Sequence, residues 1–204
     1  SYGGGDYELS KISFEIKRGS TVGIIGGTGS GKSTLINLIP RFYDVTQGSV
    51  EVDGRNVKDY SFKQLRKQIG IVPQQSILFK GTIRDNMKWE NPDLSDEDII
   101  TALKNAQAYE FVSKLPMGLD SNVEQGGKNF SGGQRQRLCI ARAIAAQPKV
   151  LILDDSFSAL DFATDAALRK ALSQYTHEMT VIIVTQRCST IMNSDLILVL
   201  DDGI

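Results

Sequence analysis

The sequence predicts a layered α/β fold with a mainly parallel sheet, an N-terminal antiparallel β-subdomain and an inserted α-helical subdomain. Three observations predict it. From Val150 onward short β-branched runs alternate with helix-length segments, residues 95–146 carry helical periodicity, and an Asp53-Gly54 pair in the first quarter signals a hairpin.

Taken in order, Ser1-Tyr2-Gly3-Gly4-Gly5-Asp6 reads as a loop, and the spacing of Leu9, Ile12, Phe14 and Ile16 suits a half-buried strand. A turn at Arg18-Gly19 precedes Thr21-Val22-Gly23-Ile24-Ile25, an apolar run fitting a buried strand. Asp53-Gly54 accepts the positive φ angles of a tight primed turn, which pairs Val50-Glu51-Val52 with Arg55-Asn56-Val57. Ile99, Ile100, Leu103, Ala106 and Val112 recur at helical spacing between Ser95 and Leu115, with Ser95 and Asp98 capping the start and Pro116 and Gly118 ending it. A second helix spans about Gly133 to Ala146, ahead of Pro148. Strand Val150 to Asp154, helix Asp165 to Tyr175, strand Val181 to Thr185 and strand Leu196 to Leu200 follow.

At 204 residues the chain is long enough for one sizeable core, or for a core with a smaller subdomain. Its 41% hydrophobic and 23% charged residues are ordinary for a globular protein and argue against disorder. Lys plus Arg number 23 against 24 Asp plus Glu, so no net field draws the molecule to nucleic acid or anionic lipid. Any phosphate binding must therefore be local, and no nucleic-acid partner is expected. The longest apolar runs fall far short of the roughly 20 residues of a membrane helix, and neither a basic n-region nor an apolar h-region opens the chain. Cys139 and Cys188 lack metal or disulfide spacing and read as reduced, buried, small apolar residues of a cytosolic setting.

Gly26 to Thr34, GGTGSGKST, fits G-x-x-x-x-G-K-[ST] between a buried strand and the amphipathic run Leu35, Ile36, Leu38, Ile39. Gly27, Thr28, Gly29, Ser30 and Gly31 let backbone N–H groups curl around a phosphate chain, and the helix start at Lys32, Ser33 and Thr34 adds partial positive charge. Lys32 would reach the β- and γ-phosphates of ATP, and the Ser33 hydroxyl would ligate Mg²⁺. Asp154 ends a core strand, where open α/β sheets bind ligands, and would hold that Mg²⁺ directly or through water. The core is therefore expected to be of the phosphate-loop (P-loop) NTPase kind.

Phe130-Ser131-Gly132-Gly133-Gln134 makes a second anion site at a helix start, although the first loop already encloses its own triphosphate. One geometry uses both: two chains face head-to-tail, and Ser131, Gly132, Gly133 and Gln134 close over the γ-phosphate held by the partner. Here the sequence resembles the ABC (ATP-binding cassette) family, whose signature is a loop of L-S-G-G-Q type, and the resemblance covers essentially the whole chain. It implies that Val72-Pro73-Gln74 is the Q-loop, with Gln74 reaching Mg²⁺ or the attacking water, and that Ser158-Ala159-Leu160-Asp161 is the D-loop at the dimer seam. Tyr2 would be the aromatic that stacks on adenine, with Tyr7 as the competing choice. Leu78-Phe79-Lys80-Gly81-Thr82-Ile83 and Glu124-Gln125-Gly126-Gly127 resemble exporter segments that contact a transmembrane domain.

Two positions depart from the family. Where it usually has a Glu acting as general base, this chain has Asp155; where it usually has a His bonding the γ-phosphate, it has Gln186. A general base must come within roughly 2.6–3.2 Å of its proton. Losing a methylene retracts the carboxylate by about 1 Å or more, and misplacement on that scale can cost about a hundredfold. Gln186 donates a hydrogen bond but carries no imidazolium charge. The pattern resembles the degenerate-site subunit of heterodimeric bacterial exporters. It implies tight ATP binding with weakened hydrolysis here, and a partner cassette with Glu and His at these positions that borrows the intact signature turn.

The alternatives are a fully active homodimeric exporter ATPase, a non-hydrolysing regulatory cassette, and a soluble ABC ATPase of DNA maintenance, which the lack of a long heptad-bearing insertion disfavours. The expected layout is one cassette over residues 1–204, with β-subdomain and core at about 1–85 and 148–204 and the helical subdomain at about 86–147. It is expected to work at the cytoplasmic side of the cell membrane. The start lacks the family's first strand, and Asp201-Asp202-Gly203-Ile204 reads as a hairpin cut short, so the chain is expected to be part of a longer protein whose transmembrane domain lies elsewhere.

Overall fold

The computed structural model describes residues 9–175, 179–201 and 203. In chain order the elements are β1 (Thr21–Gly26), α1 (Lys32–Leu38), β2 (Glu51–Val52), β3 (Arg55–Asn56), α2 (Phe62–Arg66), β4 (Ile69–Val72), β5 (Gly81–Thr82) and α3 (Ile83–Met87). Then come α4 (Asp96–Asn105), α5 (Tyr109–Ser113), β6 (Asn122–Val123), α6 (Gly132–Ala145), β7 (Val150–Asp154), α7 (Phe162–Tyr175), β8 (Thr180–Thr185), α8 (Cys188–Ile191) and β9 (Leu196–Leu200). Five strands form one parallel sheet in the order β4-β7-β8-β1-β9, and β2-β3 and β5-β6 are separate antiparallel pairs. This is the α/β fold expected of a phosphate-loop NTPase core.

The parallel strands read as unbroken apolar runs because both sheet faces are covered. Leu151 and Leu153 point into a cluster that takes in Ile83, Ile99, Leu103 and Ile140 from the helical middle of the chain. Ile152, between them, packs on the other face with Val22, Ile24, Ile36 and Leu65. Alternation along a single strand thus joins two cores, and the helices after β5 share theirs with the sheet. Among the described residues no helix is long and apolar enough to cross a membrane.

The β2-β3 hairpin forms where expected, with Asp53 at φ 56° and Gly54 at φ 71°. Residues 9–17 differ from expectation. They form no strand; Ile12 and Ile16 instead pack against the second core while Phe14 stays 39% exposed. Alternation supplied the side-chain burial, while the backbone, tied at Ser10 N–H to Gly203 O (2.8 Å), joins no strand ladder among the described residues. The helix expected over Ser95 to Leu115 divides into α4 and α5. Ser95 and Asp98 do form the capping box, but Gln107 turns left-handed at φ 57°. Gln107 N–H then donates to Lys104 O (3.0 Å) and Ala108 N–H to Leu103 O (2.7 Å), a Schellman stop with Gln where Gly is usual. Cys139 is buried, but Cys188 is exposed, because it lies past the end of β8.

One close approach limits the sheet. A Cβ on Gly23 would lie 2.5 Å from Ile191 Cβ, so α8 rests directly on the β1 backbone. Gly23→Ala is expected to destabilise the fold by about 1–3 kcal/mol through overpacking, read by chemical denaturation. Unchanged stability would mean that α8 moves aside freely.

Candidate functional site

Parallel register brings four strand ends to one edge of the sheet. Val72 pairs with Leu153, Asp154 with Val184, and Ile25 with Thr185. Gln74 therefore follows the end of β4, Asp154 and Asp155 end or follow β7, Gln186 follows β8, and the glycine loop follows β1. These residues are dispersed in sequence and gathered by topology at the C-terminal edge, where such sheets take ligands.

The loop itself is built around Lys32. Its ammonium donates to Gly26 O (2.7 Å), Gly27 O (2.5 Å) and Ser30 Oγ (3.3 Å), drawing the turn closed beneath it. Gly29 and Gly31 sit at φ 84° and 93°, and a Cβ on Gly27 or Gly29 would meet nothing within 4 Å. Thr28 and Ser33 are exposed, Ser30 is buried, and Thr34 lies within the first turn of α1. That turn has no side-chain cap and no acidic residue. By contrast α2, α3, α4 and α6 all begin with reciprocal capping boxes. The N-terminus of α1 consequently borders the open concavity of the loop with no side-chain cap or carboxylate competing for it.

Asp154 supplies the opposing charge. Burial pushes its carboxyl above the usual carboxylate range, the Asp155 carboxylate pushes the same way, and Lys32 pulls it back. These charges thus share one field, with a carboxylate that gains from an added cation. Asp155 holds a left-handed backbone, φ 47°, fixed by its N–H to Val184 O at 2.9 Å. Gln74 and Gln186 are exposed at the same edge. Among the described residues no three His, Cys, Asp or Glu side chains gather as a metal cluster. A Ser33, Gln74 and Asp154 set would suit a hard cation that keeps water and phosphate oxygens as its other ligands.

Ser131 caps α6 by accepting from Gln134 N–H (3.2 Å), while Gln134 Oε1 accepts from Ser131 N–H (3.0 Å). Gly132 is open, and a Cβ on Gly133 would lie 3.2 Å from Ala159 O. The Ser131–Gln134 turn therefore abuts the 158–161 segment. Tyr2 and its competitor Tyr7 lie outside the described residues.

Sequence reading missed two side chains around this edge, Ser156 and Arg187, and gave no partner for a third, Ser158. Ser156 Oγ donates to Val72 O at 3.1 Å, tying the exit of β7 to that of β4. Ser158 Oγ donates to Asp155 O at 2.8 Å, and Arg187 Nη2 donates to Ser158 O at 3.3 Å. Ser158 itself belongs to the 158–161 motif; Ser156 and Arg187 reach partners that no local pattern announces.

A family model described as ABC transporter matches residues 9–158. A multidrug export ATP-binding/permease protein of Staphylococcus aureus (strain NCTC 8325 / PS 47) is 45% identical over 195 residues, covering 96% of this chain and 34% of that protein. Heavy metal tolerance factor 1 of Caenorhabditis elegans is 46% identical over 196 residues, covering 96% of this chain and 24% of that protein. Among solved structures, a bacterial Atm1-family ABC exporter with ATP bound matches with a TM-score of 0.91 and 38% identity, covering 96% of this chain and 34% of that one. The chain thus spans about a third or less of the length of these relatives.

Proposed function

This chain belongs to the ABC transporter family, and on that premise we propose that it is the ATP-binding motor domain of an exporter. In this reading it holds Mg-ATP at a site with weakened hydrolysis and lends its signature turn to a partner cassette. The observation that carries the ATP reading is the phosphate loop. It is open where Gly27 and Gly29 lack Cβ atoms, uncapped at α1 and closed from beneath by Lys32. Those features fit a phosphate chain, and the raised Asp154 carboxyl fits a cation beside it.

The backbone of Gly27, Thr28, Gly29, Ser30 and Gly31 and the N–H groups of Lys32, Ser33 and Thr34 bind the phosphates, and Lys32 orients the β- and γ-groups. Ser33, Gln74 and Asp154 hold Mg²⁺, which when bound supplies positive charge against the phosphate oxygens. Asp155 is the general base toward water, Gln186 donates to the γ-phosphate, and Tyr2 stacks on adenine. Ser131, Gly132, Gly133 and Gln134 act on the nucleotide of the partner. Weakened hydrolysis is supported by the adjacency of the two departures, since Asp155 N–H donates to Val184 O two residues before Gln186. Both alter one corner of one site. The partner is accordingly a cassette with Glu and His at these positions.

The export role rests on the likeness to the multidrug export protein and to the Atm1-family exporter. It implies a transmembrane domain contacting the Gln74 to Asn86 region and residues 124–127, and a position at the cytoplasmic side of the membrane. Residues of about 86–147 serve as the helical subdomain of this cassette, and about 1–85 and 148–204 as its β-subdomain and core.

Asp154→Asn in the intact transporter tests the site. Burial raises this carboxyl, so Asp154 favours the fold at acid pH and that contribution is lost as pH rises through its folded value. The variant is therefore expected to be more stable than the parent at neutral pH, with the difference shrinking toward acid, while Mg²⁺-dependent ATP affinity falls about a hundredfold. Unchanged Mg²⁺-dependent affinity would overturn the assignment.

A further inference from the structure

The segment that carries Gln186 is held by two arginines that no catalytic motif includes. Arg187, the next residue, donates through Nη2 to Ser158 O at 3.3 Å, and its own N–H donates to Thr185 Oγ1 at 3.0 Å. Ser158 in turn sends both its N–H (3.2 Å) and its Oγ (2.8 Å) to Asp155 O. A continuous path of hydrogen bonds therefore runs from the residue after Gln186 to the backbone of Asp155. On the far side, Arg169 of α7 donates through Nε to Asp165 at 2.8 Å and through Nη1 to Ser189 O at 3.2 Å. Asp165 is only 4% exposed, and a buried ion pair of this kind is weak support for stability by itself. Here one planar guanidinium spans two groups, a task that suits Arg and that a single ammonium performs poorly.

We propose that Arg187 and Arg169 are positioning residues that clamp the 186–189 segment to residues 155–158 and to α7, so that Gln186 and Asp155 approach the γ-phosphate as one rigid unit. The proposal rests on the reading above for the roles of Gln186 and Asp155, whereas the clamp itself rests only on the hydrogen bonds. Asp155 needs such support, because its left-handed backbone is not self-maintaining, and Asp155 O is fixed by Ser158 alone among the contacts described. Coupling is local: a two-bond path crosses from one strand exit to the next.

The test uses the full-length transporter in its assembled form, with Arg187→Ala, Arg187→Lys, Arg169→Ala and Arg169→Lys. Hydrogen exchange is followed at residues 156–161 and 186–191. The clamp requires about tenfold faster exchange in both segments together in each Ala variant. Arg187→Lys, which can still reach one carbonyl, is expected to restore protection; Arg169→Lys, which must serve two acceptors, is expected to restore it only in part. Single-turnover hydrolysis at this site reads the positioning role separately, with the kcat of this site falling at least about fivefold and its KM for Mg-ATP changing less than about twofold. Exchange unchanged in both Ala variants overturns the clamp. Exchange raised with kcat unaltered overturns the positioning role. Failure of the ATP reading looks different: the parent protein would bind no Mg-ATP while the exchange coupling persisted.

Discussion

Lys32→Ala is expected to remove Mg-ATP binding at this site, weakening it by about a hundred- to a thousandfold, the loss of a central charge-assisted donor in a preorganised anion site. The structure gives the substitution two consequences. On the proposed reading it deletes the cation that meets the phosphates, and it deletes the three hydrogen bonds by which Lys32 draws Gly26, Gly27 and Ser30 into a closed turn. Lys32→Arg is not expected to rescue, since a planar fork cannot place one compact charge beneath a carbonyl pair. Titration of a fluorescent ATP analogue into the intact transporter reads the loss, and binding retained within about threefold in Lys32→Ala would show that the loop is not the phosphate site.

Asp155→Glu is expected to raise single-turnover hydrolysis at this site about tenfold or more, with a further gain on adding Gln186→His. On the proposed role of residue 155 as general base, the longer carboxylate extends reach toward the attacking water and leaves the phosphate loop untouched. The same change carries a structural cost, because Asp visits the left-handed region more readily than Glu and residue 155 sits at φ 47°. The faster variant is therefore expected to be less stable by about 0.5–1 kcal/mol. Turnover that does not change on Asp155→Glu would move the limitation to Gln186 or elsewhere. A homodimer of the parent chain with full turnover would refute the asymmetric pairing altogether.

The parts legible in the sequence are those fixed by neighbours in the chain. β1, β7, β8 and β9 are apolar runs bounded by turn residues, and Asp53-Gly54, Ser95 with Asp98 and Ser131 with Gln134 are caps or turns that close within three residues. The phosphate loop is legible for the same reason, since Lys32 bonds to groups two to six residues away. What the sequence concealed depends on distant partners. Residues 9–17 alternate like a strand but receive no ladder, and Gln107 stops a helix in a role where glycine would have announced it. The brace from Arg187 to Ser158 spans 29 residues, and that from Arg169 to Ser189 spans 20. No periodicity reports such contacts. Gly133 against Ala159 belongs to the same class: the motif marks the glycine as an anion contact, while the structure adds that its lack of a side chain admits a neighbouring carbonyl.

The uncapped start of α1 has a thermodynamic consequence for the whole molecule. Four other helices complete their first turns with their own side chains, whereas α1, like α5 and α8, has no side-chain cap, and on the proposed reading a bound phosphate chain lies against that turn. By mass action, ligand at a hundred times its dissociation constant adds about 2.7 kcal/mol to the folded state, a large share of the margin of an ordinary domain. A melting temperature for this protein thus has meaning only alongside the concentration of nucleotide at which it was recorded.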